Sequence, residues 1–177
     1  MIRCFGVDLG LVGGAGLAVL EDGSPPQVLA TLALPPRQSA QGFLDAVADL
    51  LLAHQPYLVI CERPWTGRRD PRPNVGLAQR ERLGLVKLAC EQYGLPKSRL
   101  RPIYAVTMKR MITGSGKAGK REVGSIVRSI LGVEEENEHV LDSLGLALCG
   151  LQAERVKRKD KAIRKEMAAR AEGKCDW

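Results

Sequence analysis

Asp8 closes an apolar run, Ile2 to Val7, and is followed two residues later by Gly10. A carboxylate there sits at the C-terminal end of a central strand, where open α/β sheets hold their ligands. Glu62 repeats the arrangement in VICE, directly after the apolar segment Tyr57 to Cys61. Two such acids converge if their strands are neighbours, and carboxylates with water and substrate phosphate suit a hard divalent cation such as magnesium. In NEHVLDSLGLAL, His139 and Asp142 are three residues apart on one helical face, beside the apolar stripe Val140, Leu144, Ala147 and Leu148. Glu138, four before Asp142, is a competing candidate. Each residue also has a plainer reading: Asp8 caps a turn, Glu62 opens a surface loop, and the acids near residue 138 complement a helix dipole.

Cations supply the next component. Lys109, Lys117, Lys120 and Arg121 flank glycines that let backbone approach a phosphate closely. The segment TGSGKAGK lacks the GxxxxGK[ST] spacing and follows a short helical pattern instead of a strand, so it is not a nucleotide-binding loop. Trp65 lies among Arg63, Arg68, Arg69 and Arg72, a setting suited to stacking on an unpaired base; packing on neighbouring prolines is the plainer alternative.

The elements that must position these groups fit one domain, because 177 residues is an ordinary domain length. The 45% hydrophobic content supports a buried core. The net charge of +7 is unevenly placed, with nine basic residues and one acid between Lys97 and Arg128 and nine basic residues and five acids from Leu151 to Trp177. Such segregation suits a polyanionic partner. Five cysteines show no metal-binding spacing and read as small buried residues of a reducing compartment. No run approaches the roughly 18 apolar residues of a membrane span, and MIRCFGVDLG carries no charged segment followed by an apolar stretch and cleavage site. The expected location is cytoplasmic, with no membrane partner.

Strands are expected at Ile2–Val7, Ala15–Leu20 and Gln27–Leu34, joined as an antiparallel meander. A helix over Ala40–Ala53 follows, then a strand over Tyr57–Cys61, a Pro- and Arg-rich loop over Arg63–Pro73 and a helix over Val75–Tyr93. Leu100–Tyr104 is expected as the fifth strand, then a short helix from Val106, and helices over Lys120–Leu131 and Asn137–Leu151. The order predicts an α/β fold in residues 1–153, with a mixed five-stranded sheet flanked by helices. Residues 154–177 form a basic C-terminal tail that can be helical but has few apolar residues to pack with.

Together these residues resemble the RuvC family of Holliday-junction resolvases, which have the RNase H-like fold. The likeness runs from Ile2 to about Gln152. Asp8-Leu9-Gly10 is similar to the family's Asp-x-Gly, more often Asp-Pro-Gly. Glu62-Arg63-Pro64-Trp65 resembles its Glu-x-x-Phe segment, which makes Trp65 the wedge at the crossover. Lys109 and Lys120 resemble two lysines near the scissile phosphate. His139-Val140-Leu141-Asp142 stands where Asp-x-x-Asp is usual, although some members carry His there. Imidazole is softer than carboxylate and shifts preference modestly toward manganese.

The resemblance implies Mg2+ or Mn2+, two ions per site, held by Asp8, Glu62, His139 and Asp142. It implies that Lys120, with Lys109 beside it, offsets charge on the phosphoryl oxygens. The products expected are a 5′-phosphate and a 3′-hydroxyl. Arg63, Trp65, Arg68, Arg69, Arg72, Lys109, Lys117, Lys120 and Arg121 are the DNA-binding candidates. The partner expected is a four-way junction, cut in opposing strands by a homodimer, with Leu77, Leu83, Leu85, Val86 and Leu88 as its candidate interface. His139 is read either as a metal ligand or as a proton carrier, and the tail either as extra DNA contact or as none. Competing readings are a less selective nuclease for branched DNA or structured RNA, and a module that binds junctions without cutting. An actin-like ATPase needs two such domains, for which the chain is too short.

Overall fold

The computed structural model of the chain describes residues 1–64 and 73–171. Three strands open the fold: β1 (Arg3–Asp8), β2 (Ala15–Glu21) and β3 (Gln27–Leu34). They are followed by α1 (Ala40–His54), β4 (Leu58–Glu62), α2 (Pro73–Gln92), a 3-10 turn at Lys97–Arg99 and β5 (Leu100–Ile103). Three helices complete it: α3 (Ala105–Thr113), α4 (Lys120–Leu131) and α5 (Glu138–Ala171). The sheet order is β3-β2-β1-β4-β5. β1, β2 and β3 form the antiparallel meander, and β4 and β5 add in parallel, as the sequence pattern predicts.

Strand alternation divides the core into two layers. Cys4, Ala18, Leu20, Leu58 and Ile60 face a layer built from α3, α4 and α5. Phe5, Val7, Leu17, Val19, Val59 and Cys61 face α1 and α2. Helix α1 starts at the Ser39 side chain, which accepts from the Gly42 N–H at 3.1 Å, and stops at Gln55 in the left-handed region. Cys4, Cys61, Cys90 and Cys149 are buried and unbridged, and burial raises each thiol, Cys90 to about 11. Among the described residues, no helix is long and apolar enough to cross a membrane.

The helix expected to end at Leu151 runs unbroken from Glu138 to Ala171, through a tail that the sequence allows to be helical. One expectation is revised. Within the expected interface helix, Val86 is buried, and Leu83 and Leu85 pack against the α1 side of the core. That leaves Leu77 and Leu88 outward, at 54% and 41% exposure. An apolar residue on a helix that covers a sheet is claimed first by its own core, and α2 has a core to cover.

Candidate active site

The parallel register of β1 and β4 pairs Val7 with Cys61. Asp8 and Glu62 therefore end neighbouring strands at the same level, on backbones about 4.8 Å apart. Both are in phase with Cys4 and Ile60, so both carboxylates rise on the side covered by α5.

Helix α5 lies close on that side because glycines remove the side chains between. A Cβ at Gly6 would run into the Ser143 carbonyl, and one at Gly16 into the carbonyl of His139. At the far end, a Cβ on Gly150 would strike the Cys4 sulfur. Gly16 is the register partner of Asp8, so the contact that seats the first turn of α5 is one strand away from Asp8.

The result is an imidazole locked onto a carboxylate. His139 Nδ1 lies 2.6 Å from Asp8 Oδ2, and the Gly10 N–H donates to Asp8 Oδ1 at 3.1 Å. The other ring nitrogen faces Gly13, whose backbone hydrogen-bonds the ring. Gly14, at φ +110, makes the turn that brings this backbone round.

Asp142 stands one helical turn beyond His139, and Lys120 Nζ lies 3.8 Å from Asp142 Oδ2. Glu138, the competing acid, turns outward and meets the same ammonium at 3.2 Å. Asp8, Glu62, Lys109, Lys120, His139 and Asp142 thus line a single open cleft of about 620 Å³.

Electrostatics in the cleft are set by crowded acids. Burial, then the charges of Asp8 and Asp142, push the Glu62 carboxyl up to about 7. Burial, then Asp8, raise Asp142 to about 6. The hydrogen bond to Asp8 raises the His139 imidazole against its partial burial. Burial alone would lower the Lys120 ammonium, but Asp142, Glu138 and Asp8 hold it above its usual value. A cation placed among these acids would favour their ionised forms. Oxygen donors of this kind fit a magnesium- or manganese-sized ion. As the side chains lie, no three of the described His, Cys, Asp and Glu groups close round a common point.

The remaining expected DNA-binding residues are more dispersed. Arg121 joins Lys120 in a smaller neighbouring pocket. Lys117 is exposed, with its N–H donating to the Ser115 hydroxyl at 3.3 Å. The Arg63 guanidinium stacks over the Tyr104 ring, 4.9 Å from its centroid. Trp65, Arg68, Arg69 and Arg72 lie outside the described residues.

Sequence reasoning missed Arg82, a cation only 4% exposed. Its guanidinium donates to the Gly10 carbonyl and to that of Gln38 at 3.4 Å, and lies 4.7 Å from the centre of the Phe43 ring. It braces the loop whose N–H holds Asp8. A signal was present, because Arg82 precedes the buried residues Val86, Ala89 and Cys90 at four, seven and eight positions, placing a cation within an apolar stripe. Gln79 and Val75, one turn and two turns before it, line the cleft.

Comparison with known proteins shows the family. The family model for the crossover junction endodeoxyribonuclease RuvC matches residues 5–150. The protein of that name from Halorhodospira halophila is 33% identical over 84% of this chain and 89% of its own length. The one from Saccharopolyspora erythraea is 34% identical over 85% of this chain and 77% of its own. Among solved structures, Thermus thermophilus RuvC in complex with a Holliday junction substrate superposes with a TM-score of 0.70 at 24% identity, covering 84% of this chain and 92% of that one. A Fowlpox virus resolvase bound to junction DNA gives 0.51 at 15% identity, over 85% of this chain and 99% of its own, a likeness of fold alone. With the family model spanning both acid-bearing strands and the helix of His139 and Asp142, the chain belongs to the RuvC family of crossover junction endodeoxyribonucleases.

Proposed function

We propose that this protein resolves four-way DNA junctions by metal-dependent hydrolysis of one phosphodiester in each of two opposing strands. The observation that carries this reading is the convergence of Asp8, Glu62, His139 and Asp142, with Lys120 and Lys109, on one cleft of a RuvC-family chain. Two magnesium or manganese ions held there would supply an activated water and charge neutralisation at the leaving 3′ oxygen. Asp8, Glu62 and Asp142 are the carboxylates that would hold them, and a cation would favour the ionised forms of Glu62 and Asp142, which burial and neighbouring acids disfavour.

His139 has two roles open to it. It can give up the Asp8 hydrogen bond to become a ligand, or keep it and act as the group that orients Asp8 and carries a proton. The contact at 2.6 Å supports the second role. Lys120, drawn toward Asp142, would offset charge on the phosphoryl oxygens, with Lys109 lining the same cleft. On sequence pattern, Trp65 with Arg68, Arg69 and Arg72 would open the crossover, and Arg63, Lys117 and Arg121 would hold phosphates.

The two-fold symmetry of a junction calls for two copies of the chain. Leu77 and Leu88 lie eleven residues apart and so on one face of α2, with Gly84 between them and nothing within 4 Å of where its Cβ would be. That bare face is the proposed contact, and a monomeric mass by light scattering at micromolar concentration would overturn it. Buried thiols and a DNA substrate suit the cytoplasm.

The central test is cleavage of a mobile four-way junction in magnesium or manganese, beside a fork and a linear duplex of the same sequence. Paired symmetric nicks with 5′-phosphate ends, absent in Asp142→Asn, are expected. Equal cutting of all substrates would show a general nuclease, and tight binding without cutting would show a binding module.

A further inference from the structure

Midway along α5, Glu154 lies 2.8 Å from Arg101 and Arg155 lies 2.7 Å from Asp22. From Val156 to Ala168 every side chain is exposed. This half of the helix also lies beyond the residues that the family model matches.

Its charges are sorted. At 3.6 residues per turn, five of the six cations between Val156 and Ala168, namely Lys157, Arg158, Lys161, Arg164 and Lys165, fall within an arc of roughly 120°, and Lys159 falls outside it. Asp160 and Glu166 fall outside that arc, and Val156, Ile163 and Met167 share the opposite side. Lys157 meets an acid at the edge of the stripe, the Glu154 carboxylate at 3.4 Å. Like charges spaced four apart, as at Lys157, Lys161 and Lys165, destabilise a helix. A helix exposed merely for solubility intersperses its signs. One that gathers cations on a single face suits a line of phosphates.

Position narrows the partner. The helix is continuous with the turn that carries His139 and Asp142. A rise of 1.5 Å per residue puts the stripe between about 22 and 35 Å from Asp142 along the axis. That distance is outside the cleft and corresponds to roughly seven to ten base pairs of duplex.

We propose that this stripe grips the phosphate backbone of a duplex arm of the branched DNA, away from the scissile strand. The inference rests on the branched-DNA reading above. It is tested in the full chain by replacing Lys157, Arg158, Lys161, Arg164 and Lys165 with glutamine, which has a similar helix propensity. A second variant, Lys157→Arg, Lys161→Arg and Lys165→Arg, keeps the charge.

Junction affinity is measured against salt, with arms of about 20 and about 6 base pairs. On the long-armed junction, the glutamine variant is expected to lower the slope of log K against log salt by roughly 3 to 5. It should bind at least tenfold more weakly near physiological salt and keep the wild-type cutting rate at saturating DNA. The arginine variant should keep the wild-type slope. On the short-armed junction, the glutamine variant and wild type should coincide.

An unchanged slope on long arms overturns the inference. So does an equal loss on short arms, which would show general attraction instead of an arm contact. If wild type binds no junction at all, the functional reading itself fails, an outcome distinct from either.

Discussion

Replacing Glu62 with glutamine is expected to stabilise the metal-free protein at pH 8 while abolishing cleavage. The Glu62 carboxyl is raised from 4.5 to about 7 by burial and by Asp8 and Asp142. Below pH 4.5 it is protonated in both folded and unfolded chains and has no effect on stability. Between 4.5 and 7 the unfolded chain releases the proton first, so stability falls as pH rises, and the loss is complete above 7. At 1.36 kcal/mol per pH unit, the difference amounts to roughly 3 kcal/mol. Relaxation of a partly solvated side chain halves this to about 1–2 kcal/mol. For a chain of this size that is about 3–7 °C in Tm.

The assay is thermal unfolding in EDTA at pH 4.5 and pH 8, for wild type and Glu62→Gln. The glutamine variant should gain on wild type by that margin between the two pH values. With 10 mM magnesium at pH 8 the advantage should shrink, because only wild type retains the full donor set. A variant that melts below wild type by the same amount at both pH values would refute the reasoning, since Glu62 would then be an ordinary hydrogen-bonding residue in an uncharged setting.

Calorimetric manganese affinity is expected to rise steeply between pH 5.5 and 7.5, as protons leave Asp142 near 6 and Glu62 near 7; a flat profile would argue against these carboxylates as ligands. Lys120→Met should lower single-turnover cleavage by about 10²–10³ with junction affinity nearly unchanged, and a loss confined to affinity would make it a binding residue only. Gly16→Ala should cost at least about 1–3 kcal/mol in denaturant unfolding, since its Cβ meets the His139 carbonyl, which cannot move aside as a side chain would. Arg82→Met should cost about 2–4 kcal/mol by leaving the Gly10 and Gln38 carbonyls without their donor, and should weaken manganese binding in calorimetry; stability loss with normal manganese affinity would leave it a purely structural residue.

Much of this was legible in the residues alone. Apolar runs ending in Asp8 and Glu62 locate two strand ends, and His139 and Asp142 share a helix face by spacing. Their joint presence on one cleft wall follows once β1 and β4 are neighbours. The apolar stripe of α2 hints that Arg82 is buried, but its place at the site is not legible, because a lone arginine in a helix ordinarily lies in solvent. What buries it, the Gly10 and Gln38 carbonyls and the Phe43 ring, comes from segments 39 to 72 residues away. The outer half of α5 reads as a tail because Val156, Ile163 and Met167 are too few and too exposed to dock it on the core. Its Ala, Lys, Arg, Glu and Met are strong helix formers, and continuity with a buried helix spares it the cost of nucleation. The division of α2 between core and surface depended on where α1 lies, which no local pattern encodes.

Where α5 crosses β1 and β2, backbone lies on backbone at Gly6 and Gly16. Elsewhere in the core, side chains can be exchanged for others of similar volume, and neighbours repack to absorb the change. At these crossings there is nothing to repack. The height of α5 above the sheet is therefore a fixed dimension, insensitive to drift in the surrounding apolar residues, and the spacing between acids borne on strands and acids borne on the helix inherits that tolerance. An engineer could redesign the remainder of either core layer for thermal stability and leave the cutting geometry undisturbed, provided those two glycines stay.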